Sequence, residues 1–428
     1  MSDDVSRRHS PVSVRVITLG CKVNQCDGDE IARALAARGY RIARRGQSAD
    51  CYIVNTCTVT ATADAKARKL IRGVARANPG ARVIATGCWA QRAPEEAARL
   101  PGVSAVVPNT RKREMADLVA TMLPLDAALP DKAPAGRTRA FLKVQDGCDH
   151  RCAYCAVPGA RGRPESKALS QALEEARALA AAGIQELVLC GIRLGAYGSD
   201  SGNGGLGALL RALREIDLPR IRLSSVEPMD LKQDLLDEMS DHPRLCRHLH
   251  LPLQSGDDAV LAAMNRGYTR SVFADLVSRV RRMWPDVAIS TDVMVGFPGE
   301  TEAQFEATAR FAREVGFARL HVFPYSRRPG TPAAQRADET SPEVTRGRAA
   351  ELLSIAEELS ARAAAAWVGR EVVALFERRA ADGRLTGLTE HYLRLRARAP
   401  EEWIGRLSAL TPHAAARGEL LAGDRDAR

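Results

Sequence analysis

The chain has 428 residues, enough for two or three domains with their own cores, and no run in it approaches the roughly 18 apolar residues of a membrane-crossing helix. Its opening M-S-D-D-V-S-R-R-H-S has no apolar segment for secretion, so the expectation is a cytoplasmic protein without a membrane segment, and its ten cysteines read as metal or redox ligands and not as disulfides. A formal net charge of +10 suits a polyanionic partner such as nucleic acid, while 4% aromatic residues argues against an extended base-stacking platform.

In chain order, residues 1–11 are polar and expected to be disordered. A β-branched run at 14–19 leads into Gly20-Cys21 and a helical pattern over 29–38 that stops at Gly39. A second strand at 52–55 leads into Thr56-Cys57 and a helix over 66–77, ended by Asn78-Pro79-Gly80. A third at 82–86 leads into Gly87-Cys88 and a helix starting near Pro94, and 103–107 would be a fourth strand. This alternation predicts an open parallel α/β sheet with right-handed crossovers. Cys21, Cys57 and Cys88 each follow the carboxyl end of a strand, and in such a sheet those ends share one edge. One cysteine so placed would be read as a small buried hydrophobe; three at equivalent positions are expected to converge. Cys26, Cys51, Cys190 and Cys246 are assigned to the core, Cys26 being the nearest to an exception.

Residues 122–138, rich in Pro and Ala, read as a linker. The stretch D-G-C-D-H-R-C-A-Y-C-A-V-P-G-A-R-G then places Cys148, Cys152 and Cys155 in one short loop, close enough to surround a single inorganic centre. A cubane cluster takes four thiolates, so three leave one iron open to a small molecule. A zinc site with His150 as fourth ligand is the competing reading.

Six strands follow at 140–145, 186–190, 220–224, 247–251, 287–293 and 318–323, with helical patterns between them, too few to close an eight-stranded barrel. Chemistry in such folds gathers at strand carboxyl ends. There lie Gly191 and Arg193, then Ser224, Ser225 and Glu227, then Gln254, Ser255 and Gly256, then Val295, Gly296 and Pro298, and finally Tyr325, Arg327 and Arg328. Ser341-Pro342-Glu343 starts a helix expected to run to Trp367, and V-V-A-L-F-E, G-L-T-E-H-Y-L-R-L-R-A and W-I-G-R-L-S-A-L then suggest a small barrel with a D-G turn.

The cysteine loop, with Tyr154 before its last cysteine and Val157-Pro158 after it, resembles the cluster-binding loop of the radical S-adenosylmethionine enzymes. L-G-C-K-V-N-Q, N-T-C-T-V-T and G-C-W-A-Q are similar to the three cysteine signatures of the methylthiotransferase N-terminal domain, with Trp89 where a tyrosine is more usual. H-L-P-L-Q-S-G and M-V-G-F-P-G-E resemble that family's adenosylmethionine-binding strand ends, Arg193 stands where the family more often has a neutral polar residue, and the tail resembles the RNA-binding TRAM domain.

The resemblance implies three domains: 12–125 with an auxiliary [4Fe-4S] cluster, 138–366 as a partial (β/α)6 barrel with a trailing helix, and 368–428 as a TRAM-like β-barrel. It implies Cys21, Cys57 and Cys88 as ligands of the auxiliary cluster, and Cys148, Cys152 and Cys155 as ligands of a second [4Fe-4S] cluster whose open iron takes S-adenosyl-L-methionine, all six serving catalysis. Tyr154, Val157, Gly191, Ser225, Gln254 and Val295 would contact adenosylmethionine, and Tyr325, Arg327 and Arg328 the substrate. The implied partners are the anticodon loop of tRNA, a reductase or flavodoxin-type electron donor and a sulfur source. K-V-N-Q in the first signature, with N-T-C-T-V-T, looks most like the branch that converts N6-threonylcarbamoyladenosine to its 2-methylthio derivative. Sibling branches act on isopentenyladenosine in tRNA or on a ribosomal-protein aspartate. The alternative from another class is a non-catalytic, zinc-held RNA-binding protein.

Overall fold

The computed structural model describes residues 12–125, 138–202 and 204–423, which leaves the expected disordered start and most of the expected linker outside the described residues. The chain divides into two compact units, the first built on 12–125 together with Ala156–Gly162, the second on the remainder from 138 onward. Among the described residues no helix is long and apolar enough to cross a membrane.

The first unit is a five-stranded parallel sheet in the order β2-β1-β3-β4-β5, with β1 Ser13–Thr18, β2 Arg41–Ile42, β3 Cys51–Thr56, β4 Arg82–Thr86 and β5 Val103–Val107. The two-residue β2 is too short to leave a pattern in the sequence, so Val103–Val107 is the fifth strand and not the fourth. Helices α1 Lys22–Ala37, α2 Ala61–Ala77, α3 Gly87–Arg92, α4 Pro94–Ala98, α5 Met115–Met122 and α6 Val157–Arg161 complete the unit. Helix α1 starts seven residues before the expected 29–38 pattern. Its first turns bury polar Asn24 and Asp27 beside Val23 and Cys26, so the K-V-N-Q-C-D-G stretch carries no amphipathic signal although it is helical. Likewise α2 starts earlier, at a cap in which the Thr60 hydroxyl accepts from Ala63 N–H, and Cys88 lies inside the short helix α3.

In the second unit β6 Arg139–Lys143, β9 Glu186–Cys190 and β10 Ile221–Leu223 form one parallel set. A second set is β11 His248–His250, β12 Ala288–Val295 and β13 Arg319–Pro324. Parallel bridges Ile221 to Leu245 and Ser225 to His250 join the sets, so six successive strands lie side by side, as the sequence predicts. The short pair β7 Gln145–Asp146 and β8 Glu165–Ser166 flanks the cysteine loop. Helices α7 Leu169–Ala181, α8 Gly205–Leu213, α9 Gln233–Ser240, α10 Asp258–Ala263, α11 Arg270–Met283, α12 Glu302–Val315 and α13 Pro342–Ala365 follow, α13 being capped by Ser341 as expected. Leu187, Leu189, Leu209, Phe273, Phe305 and Phe317 are central to the shared core of strands and helices.

The tail is a six-stranded sheet in the order β17-β14-β15-β16-β19-β18: β14 Val372–Arg379, β15 Leu385–Thr389, β16 Arg394–Ala397, β17 Leu407–Leu410, β18 Ala414–Ala416 and β19 Glu419–Ala422. The expected single run over 387–397 breaks into β15 and β16 at a turn where Tyr392 has φ 62, and β18 and β19, short and Ala-rich or flanked by Gly418, were not foreseen. The D-G turn does join β14 to β15, with Gly383 at φ 80.

This sheet is bound to the strands of its own unit by a buried ion network. Glu186, 0% exposed, accepts from Arg220 Nε at 2.6 Å and from Arg222 Nε at 3.0 Å. Those guanidiniums donate onward to main-chain carbonyls of the tail, Arg220 to Leu388 at 3.1 Å and Arg222 to Thr389 at 3.0 Å and Glu390 at 2.9 Å. Burial alone would raise the Glu186 carboxyl, but Arg222, Arg220 and Arg139 outweigh it and hold it at about 2. A carboxyl so depressed stabilises the fold above its unfolded value of 4.5, and that contribution is lost as pH falls toward 2. Glu186→Gln is therefore expected to cost about 3–5 kcal/mol at neutral pH, because it strands two buried arginines. In urea unfolding the deficit should shrink between pH 4.5 and pH 2; a deficit equal at pH 7 and pH 3 would contradict this account.

Candidate functional site

In the first unit the adjacent strands β1, β3 and β4 deliver Cys21, Cys57 and Cys88 to one edge of the sheet. Cys21 is the N-cap residue of α1, Cys57 directly follows β3 and Cys88 is the second residue of α3. The three thiols are near enough for their charges to act on one another: Cys57 is pushed up to about 11, by burial first and then by Cys88 and Cys21. Cys21 is exposed as a residue, yet burial raises its thiol, and the Arg161 guanidinium opposes that rise.

Two glycines make the close approach possible. A Cβ on Gly20 would sit 2.8 Å from Cys57 Sγ, and one on Gly87 would sit 2.3 Å from the Thr56 carbonyl oxygen, both at positive φ where a side chain is strained in any case. The polar residues of the signatures brace the loops. Asn24 Nδ2 donates to Leu19 O at 2.7 Å and Thr56 O at 2.9 Å, Asn55 Nδ2 donates to Asn24 O at 2.8 Å, and the Thr56 hydroxyl donates to Thr86 O. Of the cysteines assigned to the core, Cys51 and Cys246 are pushed up to about 12 by burial, and Cys26 and Cys190 are buried. Three thiols gathered at one sheet edge suit a polynuclear cluster with one open metal position.

In the second unit the loop carrying Cys148, Cys152 and Cys155 is fastened by its own backbone. Ala153 N–H donates to Met264 O at 2.9 Å, Ala333 N–H donates to Ala153 O at 2.8 Å, and Asn265 Nδ2 donates to Arg151 O at 2.8 Å. Two donors face the sulfurs: His150 N–H lies 3.4 Å from Cys148 Sγ, and Arg266 Nη1 lies 3.4 Å from Cys152 Sγ. Arg266 is buried, pairs with Glu227 and is within 3.1 Å of the Tyr268 hydroxyl and 3.5 Å of that of Tyr154. Burial holds the Tyr154 phenol well above its ordinary value, so it stays neutral. Arg193 forks onto both Asp230 oxygens at 2.6 and 3.0 Å and reaches Asp149 at 2.9 Å, which makes it a clamp on the cysteine loop. A loop pre-formed around three thiols, with cationic and N–H donors toward sulfur, fits an anionic iron–sulfur cluster.

The predicted rim residues are distributed over neighbouring strand ends. Gly191 packs where a Cβ would meet Gln145 and Leu194, the Ser225 hydroxyl is 2.7 Å from His250 Nδ1, and Val295 closes β12 fully buried. Gln254 adopts φ 70, donates its N–H to Asp292 O at 2.8 Å, and its buried Oε1 has no hydrogen-bond partner. Val157 opens α6, which is counted with the first unit. After β13 the Tyr325 hydroxyl is buried without a hydrogen bond, Arg327 is half-exposed and pairs with Glu339, and Arg328 is 4% exposed.

A further cluster escaped sequence reading. His250 Nε2 and His321 Nδ1 converge on Asp292 Oδ1 at 3.1 and 3.3 Å. Burial pushes the Asp292 carboxyl up, but the hydrogen bonds from the two imidazoles outweigh it and hold it well below the carboxylate range. The three residues belong to three different strands, so only the sheet register brings them together. Arg266 was missed for a related reason: it sits in an irregular turn after α10, next to Asn265 at φ 56, where no periodicity marks it. The one signal was N-R-G, a turn with a large cation in it.

Residues 142–312 match the Radical SAM superfamily, and residues 13–108 match the uncharacterized protein family UPF0004. The threonylcarbamoyladenosine tRNA methylthiotransferase of Bacillus subtilis is 35% identical over 412 residues, 91% of each chain, and its namesake from Thermotoga maritima is 37% identical over 89% of this chain and 90% of that one. The tRNA-2-methylthio-N(6)-dimethylallyladenosine synthase of Cereibacter sphaeroides is 37% identical over 412 residues, 92% of this chain and 93% of that one. Among solved structures, the radical S-adenosylmethionine methyltransferase TsrM from Kitasatospora setae matches with a TM-score of 0.56 at 17% identity over 76% of this chain and 77% of that one, a likeness of fold alone. With both family models matched in order and full-length relatives above 30% identity, the chain belongs to the radical S-adenosylmethionine methylthiotransferases.

Proposed function

We propose that this enzyme converts N6-threonylcarbamoyladenosine in the anticodon loop of tRNA to its 2-methylthio derivative. Two clusters would divide the work: one [4Fe-4S] on Cys148, Cys152 and Cys155 that binds S-adenosyl-L-methionine, and an auxiliary one on Cys21, Cys57 and Cys88 where sulfur is held. When bound, these groups supply the electron that cleaves adenosylmethionine and the sulfur that enters the product. In the net reaction the C2 hydrogen of adenine leaves in 5′-deoxyadenosine, a second adenosylmethionine gives its methyl group to sulfur, and a carbon–sulfur bond replaces the carbon–hydrogen bond. An external electron donor and a sulfur source complete the balance.

The chain's own residues supply position and charge. Arg266 directs a cationic donor at Cys152 Sγ, Arg193 fixes the loop through Asp149, and the unpartnered Gln254 Oε1 offers an acceptor to a donor group of adenosylmethionine. Tyr154, Val157, Gly191, Ser225 and Val295 would complete that contact, and Tyr325, Arg327 and Arg328 that to RNA. Adenine C2 has no acidic proton, so acid–base residues alone could not activate it, and a base in a single-stranded loop leaves its stack at low cost.

The observation that carries the substrate assignment is the His250, Asp292 and His321 cluster. One hydrogen bond from Ser225, it presents a half-exposed imidazole on an anionic brace, a surface matched to a polar ureido and carboxylate appendage and poorly to a dimethylallyl chain. The K-V-N-Q signature and the threonylcarbamoyladenosine relatives support the same reading.

The curled tail sheet is proposed as a TRAM-like RNA module, with Arg378, Arg379, Arg394, Arg398 and Arg406 exposed on it. The division into domains at 12–125, 138–366 and 368–428 is part of this reading. Because Arg220 and Arg222 bind tail carbonyls, its role is better tested by point variants than by truncation.

Mass spectrometry of tRNA nucleosides after deletion of the coding sequence should show loss of 2-methylthio-threonylcarbamoyladenosine, restored by the wild-type chain and reduced at least tenfold by His321→Leu. Loss of the methylthio-isopentenyl nucleoside instead would move the assignment to the sibling branch. In the purified enzyme, Cys57→Ala should uncouple the reaction: 5′-deoxyadenosine is still formed under reducing conditions while methylthiolated product falls below detection. Full product formation by that variant would make the Cys21, Cys57 and Cys88 edge structural.

A further inference from the structure

Helix α6, which directly follows the radical-loop cysteines in sequence, places a buried arginine at the other cysteine edge. Arg161, its side chain 2% exposed, donates from Nη2 to Asp27 Oδ2 at 2.9 Å and to Asn24 Oδ1 at 2.5 Å. The same Asn24 oxygen lies 3.9 Å from Cys88 Sγ. Lys112, 10% exposed, reaches the same Asp27 oxygen at 2.7 Å. The preceding residue is tied in as well: Asn109 Nδ2 donates to Ala160 O at 2.6 Å and lies 3.9 Å from Cys88 Sγ. Two cations and a carboxylate are thus fixed in a dry setting beside the proposed ligands.

Charge fixed that close acts on any redox centre bound there. The reduced form carries one more electron than the oxidised form, and a neighbouring cation favours it, the more so where water is excluded. A neighbouring carboxylate acts in the opposite sense. We infer that Arg161, braced with Lys112 on Asp27, is a positioning residue that sets the reduction potential of the centre held by Cys21, Cys57 and Cys88, keeping it higher than the thiolates alone would. This rests on the ligand assignment proposed above. Arg161 touches no reacting atom; it acts through the field at the sulfurs and through Asn24, which orders two of the three cysteine loops.

The test uses the full-length chain with Cys148, Cys152 and Cys155 changed to alanine, so that only the auxiliary centre is present, with its midpoint potential read by electron paramagnetic resonance under anaerobic potentiometry. Arg161→Gln should move the midpoint to more negative values by at least the equivalent of a tenfold change in the oxidised-to-reduced ratio, about 59 mV for a one-electron couple. Arg161→Lys should recover most of the shift, and Asp27→Asn should move the midpoint the other way. If Arg161→Gln does not retain iron, the opposed shifts of Lys112→Gln, downward, and Asp27→Asn, upward, decide the matter. A midpoint unmoved by these changes, or moved in the same direction by Lys112→Gln and Asp27→Asn, overturns the role of Arg161 and leaves the ligand assignment standing. A parent variant that binds no cluster overturns the ligand assignment and the inference together.

Discussion

A parallel sheet sends every strand out through the same edge, and both units depend on that constraint. In the first, three βα junctions put a thiol at the carboxyl ends of the adjacent strands β1, β3 and β4. Glycines serve two of the junctions: at Gly20 a Cβ would meet Cys57 Sγ, and at Gly87 it would meet the Thr56 main chain. In the second, six strands bring the cysteine loop, Ser225, Gln254 and Val295 to successive carboxyl ends. Linear spacing in the sequence becomes proximity only because the strands run parallel, so that their carboxyl ends share one edge.

Around those edges the chain spends arginine in a way that composition alone would misread. Composition alone reads the surplus positive charge as a nucleic-acid face, yet several arginines are buried or partly buried and occupied. Arg220 and Arg222 hold the tail sheet through Glu186, Arg193 clamps the cysteine loop through Asp149 and Asp230, and Arg266 faces Cys152. Guanidinium suits all three tasks because its rigid fork satisfies several acceptors at once while keeping its charge in a dry site. Other arginines, such as Arg378 and Arg398 on the tail, are exposed.

What the sequence disclosed follows from range. The strands at 82–86, 103–107 and 186–190 carry compact β-branched or aliphatic runs and appear where expected, and the placement of Cys21, Cys57 and Cys88 at one sheet edge is legible because they follow topologically equivalent strands. The start of α1 was hidden because its polar residues are satisfied by distant partners, Asn24 by Thr56 and Asp27 by Lys112. Arg266, Arg161 and the His250, Asp292 and His321 cluster were hidden for the same reason. Their significance lies in contacts between residues dozens of positions apart, which no local pattern encodes. Arg327, expected to contact the substrate at the rim, pairs with Glu339, a partner that only the folded chain supplies.

The proposed function requires one chain to hold two iron–sulfur centres, one on Cys21, Cys57 and Cys88 and one on Cys148, Cys152 and Cys155. Mössbauer spectroscopy with iron and sulfide quantification on the anaerobically purified wild-type protein tests it most directly. Two cubanes predict about eight irons and eight sulfides per chain, all in [4Fe-4S] form. A stoichiometry of about four irons would remove one of the two centres, and zinc in place of iron would contradict the account altogether.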